Sequence, residues 1–426
     1  MNKTFTGLLD NVKEATAAMA SSSGKLGTAS LSQPSSAPVP HSIRQQISVT
    51  WDFPVVFTHD LFSADNPVLV DTLNRLQDQK KHRAMVFIDS FVAKNRPELL
   101  KTVPAYFETH SETLELAAPP QIVTGGEAAK NNFSLIEGFM HLLLEKRMDR
   151  HSFVIIVGGG AVMDSVGLAA ALVHRGLRQV RVPTTVLGQN DAGVGVKNGV
   201  NFAGGKNAIG TFAPPFAVLN DFNFLLSLND RDWLCGVAEA FKVAIIRDRI
   251  FFDWLLEHAK NFPERDLESM RLLVERCAEI HIEHIRTTGD PFEYGRARPL
   301  DFGHWSAHKL ELMSGFAISH GEAVASGVLV DSIYAQMQGW ISEAELAQIE
   351  TGLKESGFRL WFEELDQRDS NGVRVIFGGL RDFQEHLGGE LCVTYPTRIG
   401  ARHEVHEIDL IKMETAFQEL RRVVLE

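Results

Sequence analysis

The sequence predicts an α/β protein: a parallel sheet in its first half and a mainly helical second half. Three observations predict it. Short apolar runs ending in Asp, Gly or Pro alternate with amphipathic stretches up to about Asp221, as buried parallel strands alternate with their crossover helices. Beyond Asp221, strand signals fade and long helical periodicities dominate. The 426-residue length exceeds the ~250–300 residues that one hydrophobic core usually sustains, which favours two domains. The expected division is a flexible extension over 1–46, an α/β domain over 47–225 and a helical domain over 226–426.

In order, Val12–Ala20 suits a short helix, and Ser21–Pro40 is a Ser, Ala, Gly and Pro-rich lead-in with too little apolar surface to order itself. Ile47–Phe57 has strand composition, with Pro54 arguing for an edge or bulge. Val68–Gln79 is helix-like, Arg83–Asp89 is a buried strand, and Ala105–Glu115 is mixed. Gln121–Val123 is a strand, Asn132–Lys146 an amphipathic helix and Phe153–Val157 a strong buried strand. A helix from Val162 to His174 and a strand from Gln179 to Val182 follow. Helices are then expected over Arg231–Ile246, Ile250–His258, Asp266–Arg286, Trp305–Leu312, Glu322–Met337 and Ser342–Glu355. Glu390–Tyr395 and Arg402–Val405 suit a β ribbon.

Composition excludes several classes. The net charge of −12 gives no electrostatic footing for nucleic acid or an anionic membrane. The three cysteines are far apart in sequence, so neither a disulfide framework nor a cysteine zinc site is implied. No run reaches the ~18 apolar residues of a membrane span. Polar residues interrupt the early apolar ones, so no secretory signal is expected. A reducing cytoplasm fits all of this.

Six features carry chemistry. His304 and His308 stand four apart and share a helical face; His320 follows in a His-Gly-Glu turn. With a distant carboxylate they would form a divalent-metal site, the alternative being histidines that share a face by chance. Gly158–Asp164 (GGGAVMD) is strand, glycines, helix, suited to a pyrophosphate at a helix N-terminus or to a simple tight turn. Asp89 ends its strand and suits ribose hydroxyls, while the Gly125-Gly126-Glu127 turn with Lys130 lines the same crevice or caps the next helix. Asn190–Gly210 is long and glycine-rich, with Asp191, Lys197, Lys206 and Asn207, a scaffold suited to an anion. Glu239 and Lys242 lie three apart on one helical face, a surface ion pair or, given the apolar neighbours, part of a buried site.

Taken in order, FID at 87–89, GGEAAK at 125–130, VGGGAVMD at 157–164, RGLRQVRVPTT at 175–185, GKNAIG at 205–210, AEAFK at 238–242, FGHWSAH at 302–308 and HGE at 320–322 resemble the sugar phosphate cyclase superfamily, whose founding member is 3-dehydroquinate synthase. The resemblance implies a dehydroquinate synthase-like fold, with a Rossmann-like NAD-binding domain packed on a helical metal domain. It implies a homodimer and a sugar phosphate substrate. It implies Zn2+ (or Co2+) held by Glu239, His304 and His320, and NAD contacts from Asp89, Glu127, Lys130, Gly158, Gly159, Asp164, Thr184 and Thr185. It places Asp191, Lys197, Lys206, Asn207, Lys242 and His308 around the substrate, with Arg175 reaching phosphate, in relatives often across the dimer interface.

The sequence departs from dehydroquinate synthase where that enzyme holds a substrate carboxylate. Glu283 and Ala297 stand at the lysine and arginine positions, and Asp301 replaces the asparagine before FGH. Gln384-Glu385-His386 replaces a phosphate-side lysine. An acid beside a substrate carboxylate is repulsive. RPLDFGHW and FQEHLGGEL instead resemble the 2-epi-5-epi-valiolone synthase type and the EboD-type branch. The implied activity is cyclisation of a C7 ketose phosphate, sedoheptulose 7-phosphate, to a valiolone-type cyclitol: transient oxidation by NAD, phosphate elimination, reduction and intramolecular aldol closure. The alternatives are 3-dehydroquinate synthase, a metal-dependent NAD polyol or alcohol dehydrogenase of the same fold, and a catalytically silent NAD-binding protein.

Overall fold

The computed structural model describes residues 42–78, 80–203, 205–288, 290–292, 299–386 and 389–425. The helix expected at Val12–Ala20 and the lead-in to Pro40 lie outside them. The chain separates into two units, Met1–Thr50 and Trp51–Glu426. Residues 42–50 of the first carry no helix or strand. All elements below belong to the second.

Strands β1 (Val55–Thr58), β2 (His82–Asp89), β3 (Leu114–Leu116), β4 (Gln121–Val123), β5 (Phe153–Gly158) and β6 (Arg178–Pro183) are joined by helices α1 (Val68–Asn74), α2 (Ser90–Asn95), α3 (Leu99–Thr109), α4 (Phe133–Glu145) and α5 (Gly160–Leu172). A hairpin of β7 (Lys197–Phe202) and β8 (Gly205–Phe212) precedes β9 (Ala217–Asp221). The sheet runs β1-β9-β6-β5-β2-β3, with β4 also on β2, and its pairs are parallel. Side chains of β2 and β5 alternate between two apolar layers. Ala84, Val86, Ile88, Phe153, Ile155 and Val157 face one, and Met85, Phe87, Val154 and Ile156 face the other. A strand covered on both faces must be apolar throughout, which is why these runs read as continuous rather than alternating.

Helices α6 (Asp230–Arg247), α7 (Arg249–Glu257), α8 (Leu267–Thr287), α9 (His304–Met313), α10 (His320–Met337), α11 (Glu343–Glu355), α12 (Gly378–His386) and α13 (Leu410–Leu425) pack with the ribbon β10 (Val393–Arg398) and β11 (Ala401–Val405). Helix α10 is buried at nearly every position from Gly321 to Ala335, so it is the axis of this region; a helix apolar all round belongs in a core.

Three expectations need correction. The Ala105–Glu115 stretch, read as mixed, resolves into the end of helix α3 and strand β3. Asn190–Gly210, expected only as a glycine-rich scaffold with no strand assigned, forms most of the antiparallel β7–β8 hairpin. Gly210 sits where an added Cβ would come within 2.3 Å of Asn198 O, so its glycine permits strand approach rather than flexibility. Helices α12 and α13 had no counterpart in the sequence assignment.

Candidate active site

The sheet changes direction of assembly between β2 and β5: β3 and β4 lie on one side of β2, β5 on the other. Ligands of parallel α/β sheets bind in the crevice at such a switch point. Asp89 ends β2 there, 6 % exposed, and its Oδ1 accepts the Phe91 N–H at 2.8 Å. Burial raises its carboxyl above the ordinary range, against the N–H groups of Phe91 and Gly159. Gly125 must be glycine, because a Cβ would come 2.0 Å from Asp89 Oδ1. Gly159 is the N-cap of α5 and offers no side chain to the first-turn N–H groups. The Thr184 N–H bonds the Gly158 carbonyl at 3.1 Å, and Thr185 Oγ1 accepts the Gly188 N–H at 2.9 Å.

The other crevice residues are tied to the hairpin. Buried Lys130 donates to Asp164 Oδ2 at 2.7 Å and to Asn207 Oδ1. Glu127 Oε1 accepts from Asn201 Nδ2 at 2.7 Å, and Asn201 Oδ1 accepts the Asn207 N–H at 2.9 Å. The strand-end turn and the lysine-bearing hairpin are therefore one network.

A second cluster forms where α6, α9 and α10 converge. Glu239 is fully buried on α6. Its Oε1 lies 3.4 Å from His304 Nε2 and 3.2 Å from His320 Nε2. One ligand atom from each residue falls within 4.8 Å of the others. Lys242 contacts Glu239 Oε2 one turn on. Burial alone would raise the Glu239 carboxyl; Lys242 and the histidines hold it well below its ordinary value. Each histidine turns its other nitrogen to an oxygen: His304 Nδ1 to Phe302 O at 3.1 Å, His320 Nδ1 to Glu311 Oε2 at 3.1 Å.

Local structure explains this convergence. Gly303 caps α9 at φ 78, and its N–H bonds Asp331 Oδ2 at 3.2 Å. Asp331 Oδ1 accepts Trp305 Nε1–H at 3.0 Å. At Gly321 a Cβ would lie 2.4 Å from Cys235 O, so glycine lets α10 start against α6, beside Glu239. Glu322 is no part of the triad: it closes a capping box with Ser319 and pairs with Arg231 at 2.9 Å.

His308, Lys206, Asp191 and Asp301 lie around the triad. The His308 ring meets His304 edge-on, with centroids 5.3 Å apart, and stacks on His320 at 5.9 Å. Burial, then Lys206, depress its pKa well below the ordinary value. Lys206 Nζ lies 2.8 Å from both Glu311 oxygens. Asp191 sits in a π-helical turn, Gly188–Ala192, with its Oδ1 2.7 Å from His281 Nδ1. Lys197 is exposed at the start of β7, and Asp301 is partly buried before α9, close enough to favour the charge on Lys242.

A 3-dehydroquinate synthase N-terminal family model matches residues 121–235, and the C-terminal model matches 236–373. The 3-dehydroquinate synthase of Sulfolobus acidocaldarius is 32% identical over 325 residues, 74% of this chain and 90% of the relative. The chain belongs to the 3-dehydroquinate synthase-like family of sugar phosphate cyclases. This cyclase is also similar in structure to 2-epi-5-epi-valiolone synthase from Streptomyces hygroscopicus subsp. jinggangensis, solved with NAD+ and Zn2+ bound. The identity is 27% and the TM-score 0.78, covering 89% of this chain and 99% of that one. A 2-deoxy-scyllo-inosose synthase, complexed with carbaglucose-6-phosphate, NAD+ and Co2+, shares the fold at 18% identity and TM-score 0.70, covering 86% and 96%.

Not every candidate joins the cyclase's cluster. Arg175 is exposed after α5 at φ 64, on a different element from the triad and from both hairpin lysines. Glu283 is exposed on α8 and paired with Arg286 at 2.6–3.0 Å. Ala297 lies outside the described residues. Three polar residues of the site went unread in the sequence: His281, Glu311 and Asp331. Glu311 had a signal, since it follows His304 by seven and His308 by three and so shares their face.

Proposed function

We propose that this cyclase converts sedoheptulose 7-phosphate to a valiolone-type cyclitol, eliminating phosphate and closing the ring by intramolecular aldol addition without net redox change. The observation that carries the substrate choice is the charge at position 283, where a carboxylate clamp would need a cation. Glu283 is an exposed acid paired with Arg286, so position 283 offers no cation to a substrate carboxylate. The likeness to 2-epi-5-epi-valiolone synthase supports the same choice.

The residues fit the groups that such a reaction needs. Two Nε2 atoms converge on one buried carboxylate while both Nδ1 atoms face oxygen acceptors, the donor arrangement of a histidine–carboxylate metal site. Glu239, His304 and His320 would hold Zn2+ or Co2+. The uncapped α5 N-terminus beside Asp89 fits a dinucleotide, with Gly158, Gly159, Glu127, Lys130, Asp164, Thr184 and Thr185 lining that end. When bound, NAD supplies a reversible hydride acceptor and the ion a Lewis acid. Lys242 keeps Glu239 ionised. Lys197, Lys206 and Asn207 would hold the phosphate from the hairpin. His308, kept neutral beside the triad, would take or give a proton, and Asp191, paired with His281, and Asp301, near Lys242, would flank the substrate. Arg175, exposed in one protomer, would act on a partner's site in a homodimer. On this division residues 47–225 carry most of the cofactor side and 226–426 the metal side.

The test is phosphate release by protein supplied with NAD and zinc. Release is expected from sedoheptulose 7-phosphate and not from 3-deoxy-arabino-heptulosonate 7-phosphate. Release from the second alone would overturn the substrate assignment in favour of 3-dehydroquinate synthase, the name of its 32%-identical relative.

A further inference from the structure

We infer that Glu311 is a positioning residue that sets His320 as a metal donor while holding the anion-binding Lys206 beside it. The inference rests on the proposed metal site. Glu311 is 5 % exposed on α9, and its carboxylate serves two functional groups. Oε2 faces His320 Nδ1 at 3.1 Å, and both oxygens face Lys206 Nζ at 2.8 Å. Among the described residues Glu311 is the only carboxylate in an ion pair with Lys206.

A neutral imidazole carries one N–H. With that proton on Nδ1 and donated to Glu311, the Nε2 lone pair is left for the side of the ring facing Glu239, 3.2 Å away. A carboxylate behind a ligating histidine fixes ring orientation and tautomer and makes the nitrogen a stronger donor. Lys206 belongs to a different element, strand β8, and reaches the same carboxylate. One buried side chain thus ties the hairpin to the metal-side helix. An arriving anion would compete with Glu311 for Lys206, leaving the Glu311 charge to His320.

The experiment measures zinc affinity by competition with a chromophoric chelator in wild type, E311A, E311Q, K206M and E239Q. NAD binding and thermal unfolding serve as checks on folding. E311A is expected to weaken zinc about 10–100-fold, with NAD binding unchanged. E311Q keeps an acceptor for the His320 N–H but not the charge, and should fall between E311A and wild type. K206M leaves the Glu311–His320 bond intact and should bind zinc at least as tightly as wild type. Cobalt-loaded E311Q should show a shifted ligand-field spectrum, which a remote packing effect would not produce. Wild-type zinc affinity in both Glu311 variants, with zinc lost in E239Q, would overturn the role of Glu311 while keeping the metal site. Zinc weakened equally by K206M and E311A would also overturn it. No zinc binding by wild type would remove the metal reading, and this inference with it. If E311A fails to fold, wild-type affinity and spectrum in E311Q alone overturn the inference.

Discussion

Glu239 shows how this protein keeps a charge in its interior. An unpaired buried carboxylate is costly, and here Lys242 and two histidines surround it. His320 bears the reciprocal effect. Burial disfavours its charge, but Glu311 and Glu239 raise its pKa from 6.5 to about 9. The sign follows from linkage: without metal, this stabilisation is complete below 6.5 and is lost as pH rises through about 9. Zinc binding requires the same nitrogen unprotonated. Zinc affinity should therefore increase with pH, by up to about tenfold per unit below about 9, levelling off above it. Chelator competition across pH checks this, and a profile flat below that point would contradict it. The grouping of Glu239, His304 and His320 was legible only through the family resemblance, since histidine spacing alone paired His304 with His308 and left the carboxylate unnamed. The pairing of Glu311 with His320 was not, since it depends on where the next helix begins.

Elements meet at this site through missing side chains. An added Cβ on Gly327 would come 2.1 Å from Gly303 O, at the contact between α10 and the start of α9. Gly327→Ala should force these helices apart and cost about 1–3 kcal/mol in denaturant unfolding, with weakened zinc binding because His304 follows Gly303. Gly138 provides the contrast: it is exposed in α4, and an added Cβ there would meet nothing within 4 Å. Gly138→Ala should stabilise by about 0.5–1 kcal/mol. Equal effects at the two sites would contradict the packing argument. Strands β2, β5 and β6 were legible because double-sided burial leaves unbroken apolar runs, whereas β3 and the fully buried β9 had no assignment, being only three and five residues long. Helix α3 was obscured by Pro104 in its interior. The β7–β8 hairpin was obscured by glycines that serve strand approach, which a sequence pattern cannot distinguish from loop glycines. Helix α13 buries Met413, Ala416, Phe417 and Leu420, a helical spacing present in the sequence but interleaved with polar residues.

At the scale of the molecule, the sheet crevice and the helical triad are joined by the hairpin, whose Asn207 reaches Lys130 and whose Lys206 reaches Glu311. That continuity would suit the proposed redox-neutral cyclisation, in which oxidation, elimination, reduction and ring closure follow on one substrate without release. A dehydrogenase built on the same fold would need only the first step. No helix among the described residues is long and apolar enough to cross a membrane. The decisive measurement follows phosphate release and nicotinamide absorbance in one reaction containing the protein, sedoheptulose 7-phosphate, NAD and zinc. Many phosphates released per protein with no net NADH is the expected result. NADH rising in step with product would contradict the cyclase mechanism.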